Sequence, residues 1–206
     1  RATMSAAAGT DALRAMAVAQ RLSTELRQGL FVALMGAEDV EHASERLALV
    51  ASGAKTGPEE ACLVLFHCAV REKAPNPFYE HVAGALCARP APWGKRFSHC
   101  MKRAAVQHLQ QAHTYGLRAT VCLAELCAAL VSASAVGVPL AAVRFVRFGE
   151  LDVARQAGEG GGAEGAGKLA GGTLGLLLRH MMESLLRRLP DADAAGAVFD
   201  PLSKYE

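Results

Sequence analysis

The feature that most constrains this chain is one short stretch, Cys68-Ala69-Val70-Arg71-Glu72-Lys73-Ala74-Pro75-Asn76-Pro77-Phe78-Tyr79, where one helical run has to stop and another can start. Upstream of it, Leu63-Val64-Leu65-Phe66-His67-Cys68-Ala69-Val70 is too apolar for a surface helix, and Arg71-Glu72-Lys73 then interrupts it with charge. The ring of Pro75 disfavours a helical Ala74, so the first helix should end near Lys73. Asn76 suits an N-cap, and Pro77 falls at the first helical position, where the N–H it lacks would have no intrahelical partner anyway. A second helix should begin at once, and helices joined by short connections make antiparallel hairpins.

Composition agrees with this reading. Half of the 206 residues are apolar but only 5% are aromatic, and alanine and leucine dominate, which favours closely packed helices over a β-sandwich. The expected fold class is all-α, an antiparallel, HEAT-like stack of helical hairpins large enough to bury a core without a staple. Cys62, Cys68, Cys87, Cys100, Cys122 and Cys127 lie mostly in apolar helical runs, the pattern of reduced core thiols. A formal charge of +2 announces no nucleic-acid binder, so any RNA contact has to come from a local patch. No apolar stretch reaches the roughly 18 to 20 residues of a membrane span, and no leader pattern opens the chain, so a soluble intracellular protein is expected. The start at Arg1, with Met4 inside an alanine-rich lead, suggests a segment of something longer.

Residues 1–23 form the lead, with a short helix expected over Asp11 to Gln20. From Thr24, Leu26, Leu30 and Leu34 recur every fourth residue until Gly36. The next helix is expected from Glu38 to Ser52, with Val40, Ala43, Leu47 and Val50 inward and Glu38, Glu41, Glu45 and Arg46 outward. Glu59 to Lys73 is apolar nearly all round and should be central. Pro77 to Ala88 turns Phe78, Val82 and Leu86 inward, and Arg89 to Gly94 is a loop. One long helix then runs to Tyr115, with His108 inward and Lys95, Arg96, Lys102 and Arg103 outward. Leu117 to Ala133 carries only Arg118 and Glu125 as charges, and Pro139 opens a further helix to Phe148. The helical repeat domain is thus expected over 24–155, a flexible glycine-rich linker over 156–172, and an amphipathic helix capped by Thr173, with its tail, over 173–206. That last helix needs a partner surface, most simply the preceding stack.

No pattern supports catalysis, and no cofactor or small-molecule substrate is implied. Gly162 to Lys168 fits G-x-x-x-x-G-K, but Leu169 stands where a magnesium-binding hydroxyl is needed and no strand precedes it; Gly160, Gly162 and Gly165 form a second decoy. Cys62, His67 and Cys68, or His99 and Cys100, lack the spacing of a structural zinc site and read as core residues. Arg144-Phe145-Val146-Arg147-Phe148 is similar to a phosphatase-docking motif that binds as an extended strand, yet it falls in an expected core helix. Two charged groups remain. The acidic Glu38, Asp39, Glu41 and Glu45 suit a basic protein partner, and the basic Lys95, Arg96, Lys102 and Arg103 suit RNA phosphates. A plain solvated face is the ordinary reading of each.

Taken together, Thr24-Glu25-Leu26-Arg27, Met35-Gly36-Ala37-Glu38-Asp39, the Cys68 to Tyr79 junction and Leu86-Cys87 resemble the MI domain, the helical-repeat module of translation-initiation scaffolds and their nuclear relatives. Asn76-Pro77-Phe78-Tyr79 and Phe148-Gly149-Glu150-Leu151-Asp152 look most like the nucleolar branch, in which a middle domain of initiation factor four-G precedes the MI domain. The resemblance covers about Thr24 to Asp152. It implies a non-enzymatic adaptor of nucleus and nucleolus that binds a DEAD-box helicase of the initiation-factor-four-A type, among pre-ribosomal proteins and pre-rRNA, during small-subunit maturation. Glu38, Asp39, Glu72 and Lys73, near the hairpin tips, are the candidate partner contacts. The spliceosomal relative with the same domain plan, and direct RNA binding through the basic face, are the alternatives. The middle domain expected upstream is absent from this chain, and the stretch from Gly158 departs from the charged helix expected there.

Overall fold

A computed structural model describes residues 2–133, 136–140, 142, 164–189, 195, 196 and 198, and among them every long element is an α-helix. The helices are α1 (Ala2–Ala19), α2 (Glu25–Met35), α3 (Val40–Ser52), α4 (Gly57–Ala69), α5 (Pro77–Cys87), α6 (Trp93–Gln110), α7 (Leu117–Ser132) and α8 (Glu164–Arg188), with a 3-10 turn over Ala112–Thr114. Their starts are written locally. The Thr24 side chain accepts from Arg27 N at 3.2 Å, Asp39 Oδ1 from His42 N at 2.8 Å, and Asn76 Oδ1 from Phe78 N at 3.0 Å. Each satisfies a donor that a helix N-terminus leaves without an intrahelical acceptor.

The helices stack in two layers. One layer runs α2, α4, α6 and the other α3, α5, α7, with α1 against α2 and α8 against α7. The apolar α4 contacts α2, α3, α5, α6 and α7, which is the central position its sequence demands. Leu65 and Phe66 of α4 meet Phe31, Leu34, Leu47, Leu86, Phe97, Met101 and Leu123 in one continuous, fully buried core. Glycine is required at one hairpin corner, because a Cβ on Gly57 would overlap the Ala51 carbonyl.

Several expected boundaries move, each for a physical reason. α1 is longer than the Asp11 to Gln20 helix read from sequence, since its alanine-rich lead is itself a good helix former. α4 ends at Ala69 instead of Lys73. Arg71 N bonds back to Cys68 O and Glu72 N to Ala69 O, tightening the chain into a turn that delivers Asn76 to its capping position. The long helix expected to reach Tyr115 stops at Gln110 and gives way to the 3-10 turn. In α5 the fully buried aromatic is Tyr79, while Phe78 is only half-buried and packs edge-on against it.

α8 begins at Glu164, inside the stretch expected to be a linker, because alanine, glutamate, lysine and leucine are interleaved with its glycines. Thr173 is therefore interior to the helix and not its cap. The helix expected over Pro139 to Phe148 lies outside the described residues except at 139, 140 and 142, as do the phosphatase-like motif and the family match at Phe148 to Asp152. Leu174, Leu177, Met181 and Leu185 bury one stripe of α8, which docks on α7 of the same chain.

Leu65→Ala should lower the unfolding free energy by about 2–5 kcal/mol, as expected for a large-to-small change in a closed core. Asn76→Ala should lower it by about 1 kcal/mol, with Asn76→Ser restoring most of the loss, because only the cap acceptor is at stake. Urea denaturation followed by circular dichroism measures both.

Candidate interaction surface

The junction that opens α5 also ties three hairpins together. The Tyr79 hydroxyl donates to Glu72 Oε1 at 2.6 Å and lies 3.8 Å from Met35 Sδ, and the Cys122 thiol approaches the Glu72 carbonyl oxygen at 3.8 Å. The ends of α2 and α4 and the first half of α7 therefore share one edge of the stack. Burial and the Glu72 carboxylate push the Tyr79 hydroxyl far above its usual range, and burial pushes the Cys68 thiol up to about 12. Both are structural groups at neutral pH. Glu72, expected as an exposed contact, is instead partly buried and held by Tyr79, whereas Lys73 is exposed.

On the same edge, Glu38 is exposed in the α2–α3 connection, Asp39 is exposed while capping α3, and Glu41 is exposed on its first turn, with Glu45 exposed further along the helix. Arg46 closes the α2–α3 corner by donating to Gly36 O at 2.8 Å, so the acidic corner is rigid at its base. The structure thus brings Glu38 and Asp39 to the edge that carries Glu72 and Lys73. It divides their tasks, since Asp39 and Glu72 are already engaged in shaping the backbone and the junction.

The four basic candidates do not act as one patch. Arg96 donates to Lys55 O at 2.6 Å and its guanidinium sits 5.7 Å from the Trp93 ring centroid, and Arg103 pairs with Glu59 at 3.1 Å. These contacts staple α6 to the α3–α4 turn and α4, at the edge opposite the acidic corner. Lys95 and Lys102 line a groove of about 430 Å³ together with Arg89 and His99.

Sequence reasoning missed the polar ties between helices. Glu125 of α7 accepts from Ser184 Oγ at 2.5 Å and from Arg187 at 3.1 Å, and Glu80 of α5 accepts both terminal nitrogens of Arg188 at 3.0 and 2.9 Å. This two-pronged pairing clamps the end of α8 to α5 and α7. The signal was present, since Glu125 is the lone carboxylate of an otherwise apolar helix, but its partners are distant in sequence. His67 Nε2 lies 3.1 Å from Gln20 Oε1 of the α1–α2 connection, and His108 Nδ1 lies 2.7 Å from the Tyr115 hydroxyl while its ring stacks on Phe66 at 5.0 Å. All six cysteines are free and buried, and among the described residues no three His, Cys, Asp or Glu gather as a metal cluster. No helix among them is long and apolar enough to cross a membrane.

No protein-family model matches the chain. It is 32% identical over 140 residues to Suppressor of glycerol defect protein 1 of Schizosaccharomyces pombe, an alignment that covers 66% of this chain and 18% of that protein. It is 29% identical over 137 residues to Nucleolar MIF4G domain-containing protein 1 of Mus musculus, covering 66% of this chain and 15% of that protein. Against the Homo sapiens protein of the same name it is 36% identical over 69 residues, 33% of this chain and 8% of that protein. The chain is thus similar, at modest identity, to segments of proteins that include ones named as nucleolar MIF4G-domain proteins. It spans less than a fifth of the length of these curated relatives. The all-helical stack is consistent with this similarity.

His67 and His108 are both held down to about 4, chiefly by burial, helped at His67 by Arg71 and Arg27 and at His108 by His67. In the unfolded chain a histidine titrates near 6.5, so between about 4 and 6.5 the unfolded state binds more protons than the folded one. Their neutral burial therefore favours folding above pH 6.5, and that contribution is lost as pH falls toward 4. The urea midpoint should decline across that window, and His108→Gln should flatten the decline. Arg188→Met should cost about 1–3 kcal/mol by stranding Glu80, and added salt should narrow its gap from the parent protein in the same measurement.

Proposed function

We propose that this chain is a non-catalytic, protein-binding adaptor of small ribosomal subunit (pre-rRNA) maturation, acting in the nucleolus, and that its acidic α2–α3 corner docks a DEAD-box helicase of the initiation-factor-four-A type. The observation that carries this reading is the alignment of about two-thirds of the chain with a protein named as nucleolar. The geometry supports it in a second way. A helical stack with corners fixed by caps and cross-hairpin bonds presents charge in a preformed arrangement, so a partner need not supply the entropy of ordering it. The Glu38 side chain is exposed and, unlike that of Asp39, does not cap the helix, and Lys73 is exposed on the same edge. Glu72 contributes indirectly, by holding Tyr79 and the junction in place.

Affinity purification of the intact protein tests this, with identification of the associated helicase and RNA. An initiation-factor-four-A-type helicase and small-subunit precursor rRNA are expected. Recovery of spliceosomal RNA in place of rRNA precursor would overturn the assignment in favour of the splicing relative. Glu38→Lys combined with Asp39→Asn, which keeps the cap acceptor, should reduce helicase retention in a low-salt pull-down about tenfold, in the range of a desolvated charge contact. Unchanged retention would remove the acidic corner as the docking site while leaving the adaptor role to the RNA result.

A further inference from the structure

A second surface lies at the opposite edge of the stack, where the α5–α6 turn meets the end of α3. Arg89, Lys95, His99 and Lys102 line one groove of about 430 Å³ whose walls include no carboxylate. None of Arg89, Lys95 and Lys102 pairs with a described residue, in contrast to the engaged Arg96 and Arg103. Arg89 also lines an adjoining groove of about 400 Å³ with Trp93, Ala48, Leu49 and Glu45. Leu49 is 74% exposed, the most exposed large apolar side chain among the described residues. The floor is rigid. Gly94 sits so close beneath the turn that a Cβ there would overlap the Arg89 and Cys87 carbonyls.

We propose that this composite groove docks an acidic peptide segment of a partner protein, with an apolar side chain between Leu49 and Trp93 and carboxylates at Arg89, Lys95 and Lys102. Charge complementarity selects an anionic occupant for the first groove, and the apolar wall of the second selects one that also carries a hydrophobic side chain. Two observations favour a peptide over RNA. Glu45 stands in the second groove, where every unit of a phosphate backbone carries a charge it would repel, whereas a peptide can place an uncharged leucine there and keep its carboxylates in the first groove. Trp93 packs against Phe97, with ring centroids 6.3 Å apart, and lies beneath the Arg96 guanidinium, so its ring is already stacked within the protein and is not a platform for a base. This site uses neither Glu38 nor Asp39, and of the acidic residues of α3 only Glu45 reaches it.

Trp93 is the sole tryptophan of the chain, so its emission reports occupancy directly. The full chain is titrated with a synthetic peptide of glutamates around one leucine, with the same peptide carrying serine for leucine, and with oligouridylate. The leucine peptide should give a saturable change that weakens with added salt, and Lys95→Glu with Lys102→Glu should weaken it about tenfold or more. Leu49→Ser should bring the leucine peptide down to the level of the serine peptide. Circular dichroism checks the fold of each variant, with Lys95→Gln and Lys102→Gln as the milder pair. Absence of a saturable change, or a Leu49→Ser variant that binds the leucine peptide as the parent does, would overturn the proposal. Oligouridylate binding that depends on Lys95 and Lys102, with no peptide response, would make this an RNA surface instead. Helicase retention by the lysine variants tests the acidic corner independently, because Glu38 and Asp39 are untouched.

Discussion

Everything in this stack depends on the burial of α4. A helix apolar on nearly every side cannot rest on a single neighbour, and it recruits α2, α3, α5, α6 and α7 around Leu65 and Phe66. Two layers are the simplest way to surround it with antiparallel helices on short connections. Once that core closes, the turns between hairpins are forced to the two edges, and those edges are the surfaces left for recognition.

The two edges differ in charge for reasons that begin in the sequence and end in packing. At one, the carboxylates of α3 extend from a corner braced by Arg46, next to a junction locked by the bond from Tyr79 to Glu72. At the other, α6 has five basic or imidazole groups near its start and middle, but the fold engages Arg96 and Arg103 with the α3–α4 turn and α4 and leaves Lys95 and Lys102 beside Arg89. Polar groups thus serve two purposes. Some hold helices in register, and the rest are presented to partners at positions those ties fix.

Much of the fold was legible because helix signals are local. Thr24, Asp39 and Asn76 cap the helices they announce, and the four-residue spacing of Leu26, Leu30 and Leu34 marks the face that meets the core. The site was less legible because a side chain's availability is a tertiary property. Glu72 looks like an exposed charge in a string of letters, yet it is partly buried and bonded to Tyr79, while Arg103 stays on the surface but pairs with Glu59. The clamp joining Glu80 and Glu125 to Arg187 and Arg188 spans more than fifty residues of sequence, and no periodicity reports it. The start of α8 is not legible because its glycine content argues against helix locally, whereas from Leu174 onward docking on α7 supplies burial that supports the helix.

The sequence by itself determined that this chain is helical, where most of its helices begin, and which of them must lie at the centre, since capping and hydrophobic periodicity act within a few residues. Only the tertiary structure decided which charges remain free, that Tyr79 and not Phe78 fills the core at the junction, and that the last described helix folds back onto its own stack. Those outcomes depend on what arrives from distant parts of the chain, and a buried carboxylate or an unpartnered lysine is defined only once its neighbours are in place.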